Sequence, residues 1–111
     1  MEIVFHTRNA DLAEDFRSIA SNKLLTLQRF GIALDGIKVE IIHEPNPRFG
    51  KSSHLVTLSS FGSGPFIRGE GQAFNDLAAF DQAVKSVELQ LRKIHERIKE
   101  FGHESLREAK G

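Results

Sequence analysis

The sequence predicts an α+β domain with the element order β-α-β-β-β-α, in which two helices cover one face of a four-stranded sheet. Two observations predict this fold class. Short segments that alternate apolar and polar residues indicate strands with one solvated face, and two longer segments repeat apolar residues at intervals of three and four, as amphipathic helices do. The chain has 111 residues, 40% hydrophobic and 27% charged, which is typical of a single globular domain.

The first strand is predicted over residues 2–7 and the first helix over residues 11–30. Asp11 and Glu14 resemble a capping box at the start of this helix. Gly31 follows its last apolar residue, so we expect the helix to end there.

Three further strands are predicted over residues 37–41, 56–61 and 66–73. Short turn-forming stretches separate the strands, so we expect an antiparallel meander. On one face of the last strand, every residue after the first is small, which leaves room for a helix to lie close. These small residues are Gly69, Gly71 and Ala73.

The final helix is predicted to begin after a cap at Asn75 or Asp76 and to end at Gly102. Its apolar residues from Leu77 to Phe101 alternate three and four without a slip, a pattern also typical of a coiled-coil seam. A helix of about 26 residues is near 39 Å long, whereas a strand of about seven residues spans about 24 Å. The last turns should therefore project beyond the sheet.

This organisation predicts a domain over residues 1–102 and a tail over residues 103–111. The apolar seam leaves two interpretations of the last helix open. It either packs on the sheet with a projecting end, or it also forms a homodimer through an extended coiled coil.

Basic residues concentrate on the last helix, although 15 basic and 15 acidic residues cancel over the whole chain. Lys85, Arg92 and Lys99 are seven residues apart and share the side away from the apolar seam, and Lys93 and Arg97 add to them. Such a stripe is suited to phosphate contacts. A solvated helix is the alternative, because the stretch also has acid-before-base pairs at i,i+4. These pairs are Asp81 with Lys85 and Glu88 with Arg92.

The sequence contains no motif that indicates catalysis or a cofactor. It has no cysteine, and its glycines do not form a dinucleotide-binding or phosphate-binding loop. Its five histidines lack metal-ligand spacing, so a metal site would have to be assembled across the fold. No apolar run is long enough to span a membrane. We therefore expect a cytoplasmic binding protein that is not an enzyme and has no cofactor, metal ion, membrane or small-molecule substrate.

Taken together, five segments resemble the ribosome hibernation-promoting factor family, also called the ribosome-associated inhibitor or sigma-54 modulation protein family. The segments are the opening strand followed by Arg8-Asn9, the first-helix stretch FRSIASNKLLTLQRF, the strand end HEPNPR, the strand from Pro65 to Gly71, and DLAAFDQAV leading into VELQLRK. Their order and spacing carry the resemblance, which covers residues 1 to about 101.

The resemblance implies a fold similar to double-stranded RNA-binding domains. It also implies binding to the small ribosomal subunit in the channel for messenger and transfer RNA, which silences translation in stressed or stationary cells. By position, Lys85, Arg92 and Lys93 match basic places of the family's second helix, and Lys23 and Arg29 match basic places of its first. With Arg97 and Lys99 from the basic stripe, these residues are the predicted RNA contacts.

The chain also departs from the family. Ser86 and Leu89 stand where a lysine and an arginine are usual, so two phosphate contacts are expected to be missing. Either the stripe and the loop from Arg48 to Lys51 compensate, or the chain is a diverged adaptor that binds a protein partner or a second copy of itself. Long members carry a C-terminal domain that pairs ribosomes. Because this chain ends at Gly111, we expect a short form that lacks this domain and does not pair ribosomes by itself.

Overall fold

A computed structural model of the chain confirms the predicted order of elements. It describes residues 1–8, 12–44 and 54–110, with side chains described up to residue 99. The strands are β1 (Glu2–Arg8), β2 (Gly36–His43), β3 (His54–Phe61) and β4 (Arg68–Ala73), and the helices are α1 (Phe16–Leu25), which continues into a 3₁₀ helix (Thr26–Phe30), and α2 (Asp76–Lys110).

The four strands form one mixed sheet in the order β1-β2-β3-β4. β1 lies parallel to β2, and the two later pairs are antiparallel, so the predicted meander of β2, β3 and β4 is confirmed. Val39 and Ile41 of β2 and Val56 and Leu58 of β3 are buried under the helices, as the period of two requires. Thr57, on the opposite face of β3, is also only 9% exposed. The largest fully buried side chains come from the sheet, both helices and the residue just before β4: Phe80, Leu24, Ile37, Ile41, Leu58, Ile67, Leu91, Val39, Val56 and Val87.

α2 lies against β4 at a distance that only glycine permits. A Cβ atom built on Gly69 would come within 2.5 Å of the Ala83 carbonyl oxygen, and one built on Gly71 would come closer still to the Ala79 carbonyl oxygen. Both obstacles are helix backbone, which cannot rotate away as a side chain can. The predicted close packing of a helix on the small residues of this strand is therefore confirmed.

Two glutamines of α2 hydrogen-bond the outer edge of β4. The Gln90 side chain donates to the Arg68 carbonyl oxygen at 2.6 Å and accepts from the Arg68 N–H at 3.3 Å. The Gln82 side chain accepts from the Gln72 N–H at 3.0 Å. These amides occupy backbone groups that an edge strand would otherwise offer to another chain.

The first helix begins later than predicted. α1 starts at Phe16 with Asp15 as its cap residue, and Asp15 makes no side-chain capping bond. The predicted start at a capping box was therefore wrong, and Asp11 lies outside the described residues. Phe16 is buried edge-on against Phe80, with ring centroids 5.8 Å apart, so packing marks this start better than capping does.

α2 begins as predicted but ends later. The Asn75 side chain accepts a 2.7 Å hydrogen bond from the Ala78 N–H, which makes Asn75 the cap. The helix continues through Gly102 to Lys110, so its predicted end was wrong. A glycine inside a helix costs about 1 kcal/mol relative to alanine, and the good helix formers that follow it offset this cost. The predicted domain boundary at residue 102 stays a prediction.

The C-terminal part of α2 projects beyond the sheet, as the comparison of lengths predicted. Its seam residues are buried as far as Leu91, and Ile94 packs against the core at its margin. Ile98 is 59% exposed. At the other end, Leu77 is 42% exposed, so its expected place in the seam was wrong.

Gly71→Ala tests the contact between α2 and β4. The methyl group would force helix and strand apart, and we expect a loss of about 2–3 kcal/mol in the free energy of unfolding. Glu70→Ala is the matched control, because Glu70 lies next to Gly71 on the opposite face and loses one exposed ion pair, worth about 1 kcal/mol at most. Urea denaturation of both variants measures the difference, and equal losses would contradict the packing described here.

Candidate functional site

The two helices form a shallow groove on the outside of the domain. Lys23 and Thr26 line one wall, and Asp81, Lys85 and Glu88 line the other. His95 ties the walls together further along, since its Nδ1 lies 2.9 Å from the Phe30 carbonyl oxygen and can donate to it.

Ion pairs cross this groove from the first helix to the second. Lys23 Nζ pairs with Asp81 Oδ1, and an Arg29 guanidinium nitrogen lies 3.8 Å from Glu88 Oε1. In the alternative that the sequence left open, these two carboxylates pair with Lys85 and Arg92 of their own helix. The structure does not show those pairs among the described residues, because the cations of the first helical segment reach the carboxylates across the groove.

Because Lys23 and Arg29 pair with the acids of α2, the basic residues of α2 itself are left in an exposed row, which we call the basic ridge. Its members are exposed, and none has an ion pair with any side chain that the structure describes. The ridge consists of Lys85, Arg92, Lys93, Arg97 and Lys99. Of the seven predicted RNA contacts, these five have no carboxylate partner among the described residues, whereas Lys23 and Arg29 are engaged.

Leu89 lies within the basic ridge. It is three or four residues from Lys85, Arg92 and Lys93, which makes it their neighbour on the helix surface. Its side chain is 57% exposed, and an exposed leucine among cations forms no part of the core.

The open face of the sheet has a different electrostatic character. Two of its three cations pair with acids two residues away, with Lys38 2.9 Å from Glu40 and Arg68 2.6 Å from Glu70. The third, Arg8, lies at the end of β1. The hydrogen bond from Lys38 lowers the pKa of Glu40, which keeps this carboxyl group charged. The face therefore has one cation without an ion pair among the described side chains, against five on the basic ridge. The basic ridge is the better candidate for an anionic partner.

Comparison with known proteins decides the family. Residues 3–99 match the family described as Sigma 54 modulation protein / S30EA ribosomal protein. The chain belongs to this family. The resemblance found in the sequence is thereby confirmed.

A curated family relative is the ribosome hibernation promotion factor of Mycobacterium tuberculosis, which is 40% identical over 98 residues. The match covers 88% of this chain and 45% of the relative, so the chain spans less than half the length of that protein. Among solved structures, the N-terminal domain of Protein Y from Thermus thermophilus superposes with a TM-score of 0.69 at 25% identity, over 85% of this chain and 99% of that domain. The predicted α+β fold with two helices on a four-stranded sheet is thus confirmed.

Leu89 and Ser86, the two positions at which the resemblance implies basic residues, have different surroundings. Leu89 is exposed on the basic ridge, whereas Ser86 faces β4, where a Cβ atom built on Gly69 would lie 3.1 Å from Ser86 Cβ. Restoring a basic residue is therefore simpler at Leu89 than at Ser86. The loop from Arg48 to Lys51, which was expected to compensate, lies outside the described residues.

The sequence missed one cluster of polar side chains in this family member. His43, His54 and Asp76 meet where β2 ends, β3 begins and α2 starts. They could together hold a metal ion. A search of the described residues finds no helix long and apolar enough to cross a membrane.

Neutralising the acidic wall of the groove tests how much the crossing ion pairs stabilise the domain. Asp81→Asn and Glu88→Gln each remove one pair while keeping the side-chain size. Because the paired groups are partly exposed, we expect each change to lower the free energy of unfolding by about 1 kcal/mol at most. A much larger loss in urea denaturation would show that the pairs, and not apolar packing, hold the helices together.

Proposed function

We propose that this chain is a ribosome hibernation factor, or the ribosome-binding part of one, that binds small-subunit ribosomal RNA through the basic ridge. The observation that carries the proposal is the row of five exposed cations without carboxylate partners among the described side chains. The name of the Mycobacterium tuberculosis relative, a ribosome hibernation promotion factor, supports the same function.

The basic ridge is long enough to contact several phosphates of an RNA backbone. From Lys85 to Lys99 it extends over about 21 Å of helix, at 1.5 Å per residue. Cations along such a length can each neutralise a phosphate and release its counterions, which makes binding strongly dependent on salt. A folded RNA presents phosphates at fixed positions, so a rigid helix can recognise it by shape.

The proposed action is occupation of a site and involves no catalysis. In the cytoplasm of a stressed or stationary cell, the domain would occupy the channel for messenger and transfer RNA on the small subunit and silence translation. The family resemblance of the sequence supports this location. No chemical step is needed, since a bound domain excludes the RNAs that use the same space.

A second candidate function is a protein-binding adaptor or homodimer that uses the last helix. Leu89 and Ile98 favour it, because both are more than half exposed on the outer part of α2. Salt separates the two functions. RNA binding through the ridge weakens steeply as salt rises, whereas an apolar contact does not.

The triple variant Lys85→Ala/Arg92→Ala/Lys93→Ala tests the basic ridge. We expect the wild-type chain to co-sediment with purified small ribosomal subunits at low salt and less at physiological salt. The variant should lose at least about tenfold in affinity at low salt, because three phosphate contacts are removed. Quantitative co-sedimentation over a range of subunit concentrations measures both.

The matched control is a triple alanine variant of the open sheet face, Lys38→Ala/Arg68→Ala/Arg8→Ala. It removes the same number of cations and should retain wild-type binding. An equal loss in both triple variants would show that net charge, and not the ridge, determines affinity. No binding by the wild type at either salt would refute the proposed function and favour the adaptor.

Leu89→Arg tests the same surface by a gain of affinity. The substitution places a guanidinium among Lys85, Arg92 and Lys93, where the family usually has an arginine. We expect about threefold to tenfold tighter binding to small subunits and a steeper dependence on salt. Leu89→Ala is the control for the loss of the leucine. If Leu89→Ala abolishes binding, the leucine itself makes the contact and the phosphate account of this position is wrong.

A further inference from the structure

Three side chains from three separate elements converge at one end of the sheet. His43 is the last residue of β2, His54 is the first residue of β3, and Asp76 is the first residue of α2. His43 Nε2 lies 2.7 Å from Asp76 Oδ1, and His54 Nδ1 lies 2.8 Å from the same oxygen. One carboxylate oxygen thus accepts hydrogen bonds from both imidazoles.

The fold holds this group together without help from neighbouring positions in the sequence. His43 and His54 are direct partners in the antiparallel register of β2 and β3, and their rings lie edge-on with centroids 4.2 Å apart. The Asn75 cap fixes the start of α2, so Asp76 is held opposite the strand pair. All three side chains are between 16% and 25% exposed, so they are largely fixed and still accessible from solvent.

We propose that His43, His54 and Asp76 form a binding site for a divalent transition metal ion, with Zn²⁺ the best match. Two imidazole nitrogens and one carboxylate oxygen are a ligand set that zinc uses when a fourth position stays open to water or another ligand. The three ligand atoms lie within 4.8 Å of one another, close enough for one ion to reach them all. The sequence shows no metal-ligand spacing because the ligands come from three elements.

A small opening of the cluster would admit the ion. Around tetrahedral zinc, neighbouring ligand atoms lie about 3.3 Å apart, given bonds of about 2.0–2.1 Å. The nitrogens would therefore have to move about 0.6 Å away from Asp76 Oδ1, which rotation of the partly exposed side chains can supply. Binding replaces the two hydrogen bonds by metal bonds, and each neutral imidazole presents its unprotonated nitrogen to the ion while its proton moves to the other ring nitrogen.

Asp76 supplies the charge on which the site depends. The first turn of α2 carries a partial positive charge that opposes a cation, and two neutral imidazoles do not offset it. The Asp76 carboxylate does, so its loss should weaken binding at least as much as the loss of either histidine. A bound ion would join the adjoining ends of β2 and β3 to the start of α2.

Titration of the tag-free, 111-residue chain with Zn²⁺ near neutral pH tests the site. Isothermal calorimetry should show one ion per chain with a dissociation constant in the micromolar range or tighter. His43→Ala, His54→Ala and Asp76→Asn should each weaken binding by at least about a hundredfold, because the loss of an outer-shell partner alone costs about tenfold to a hundredfold. His6→Ala is the matched control, because His6 is exposed on the open face of the sheet and should leave the affinity unchanged.

A second measurement identifies the ligands and guards against a variant that fails to fold. Nitrogen NMR of the imidazoles should show Zn²⁺ shifting His43 Nε2 and His54 Nδ1 in the wild-type chain, with His6 unaffected. Asp76→Asn preserves the side-chain size and one acceptor oxygen, so it should keep the fold, which circular dichroism checks. The proposal is overturned if the wild type does not bind, if Asp76→Asn binds as tightly as wild type, or if His6→Ala weakens binding as much as His43→Ala. Ribosome binding is measured separately, so neither result depends on the other.

Discussion

The approach of α2 to β4 at Gly69 and Gly71 is the constraint on which the rest of the domain depends. Because the helix backbone lies where side chains would otherwise stand, α2 is fixed along the edge of the sheet, and its glutamines can hydrogen-bond that edge. A helix held there has one buried side and one fully solvated side. The basic ridge, the groove beside α1 and the cluster of His43, His54 and Asp76 at the start of α2 all take their positions from this contact.

The ion pairs of the domain leave the positive charge concentrated on the basic ridge. The acids of α2 that face the first helical segment pair with Lys23 and Arg29, and on the open sheet face Lys38 pairs with Glu40 and Arg68 with Glu70. A chain with equal numbers of basic and acidic residues can therefore still present a local surplus of positive charge. Affinity for an anionic partner depends on such a local surface, and the net charge of the chain does not reveal it.

Periodicity predicted most of the fold, because alternation along a strand and the three-four spacing of a helix are local properties. It could not predict which carboxylate Lys23 would pair with, since Asp81 is 58 residues away in the sequence. The i,i+3 and i,i+4 spacings predict side-chain pairs only within a single helix. The cluster of His43, His54 and Asp76 was missed for the same reason, as strand register brings its histidines together. The end of α2 could not be predicted from Gly102 alone, because the helix formers that follow this glycine continue the helix to Lys110.

Site-specific photo-crosslinking tests the central claim most directly. A crosslinking amino acid placed at Leu89, within the basic ridge, should attach to small-subunit ribosomal RNA when the chain is mixed with purified subunits and irradiated. The same amino acid at Glu70, an exposed residue of the open sheet face, should give little or no RNA adduct. RNA adducts from Glu70 and none from Leu89 would contradict the account, because they would show that the sheet, and not α2, faces the RNA.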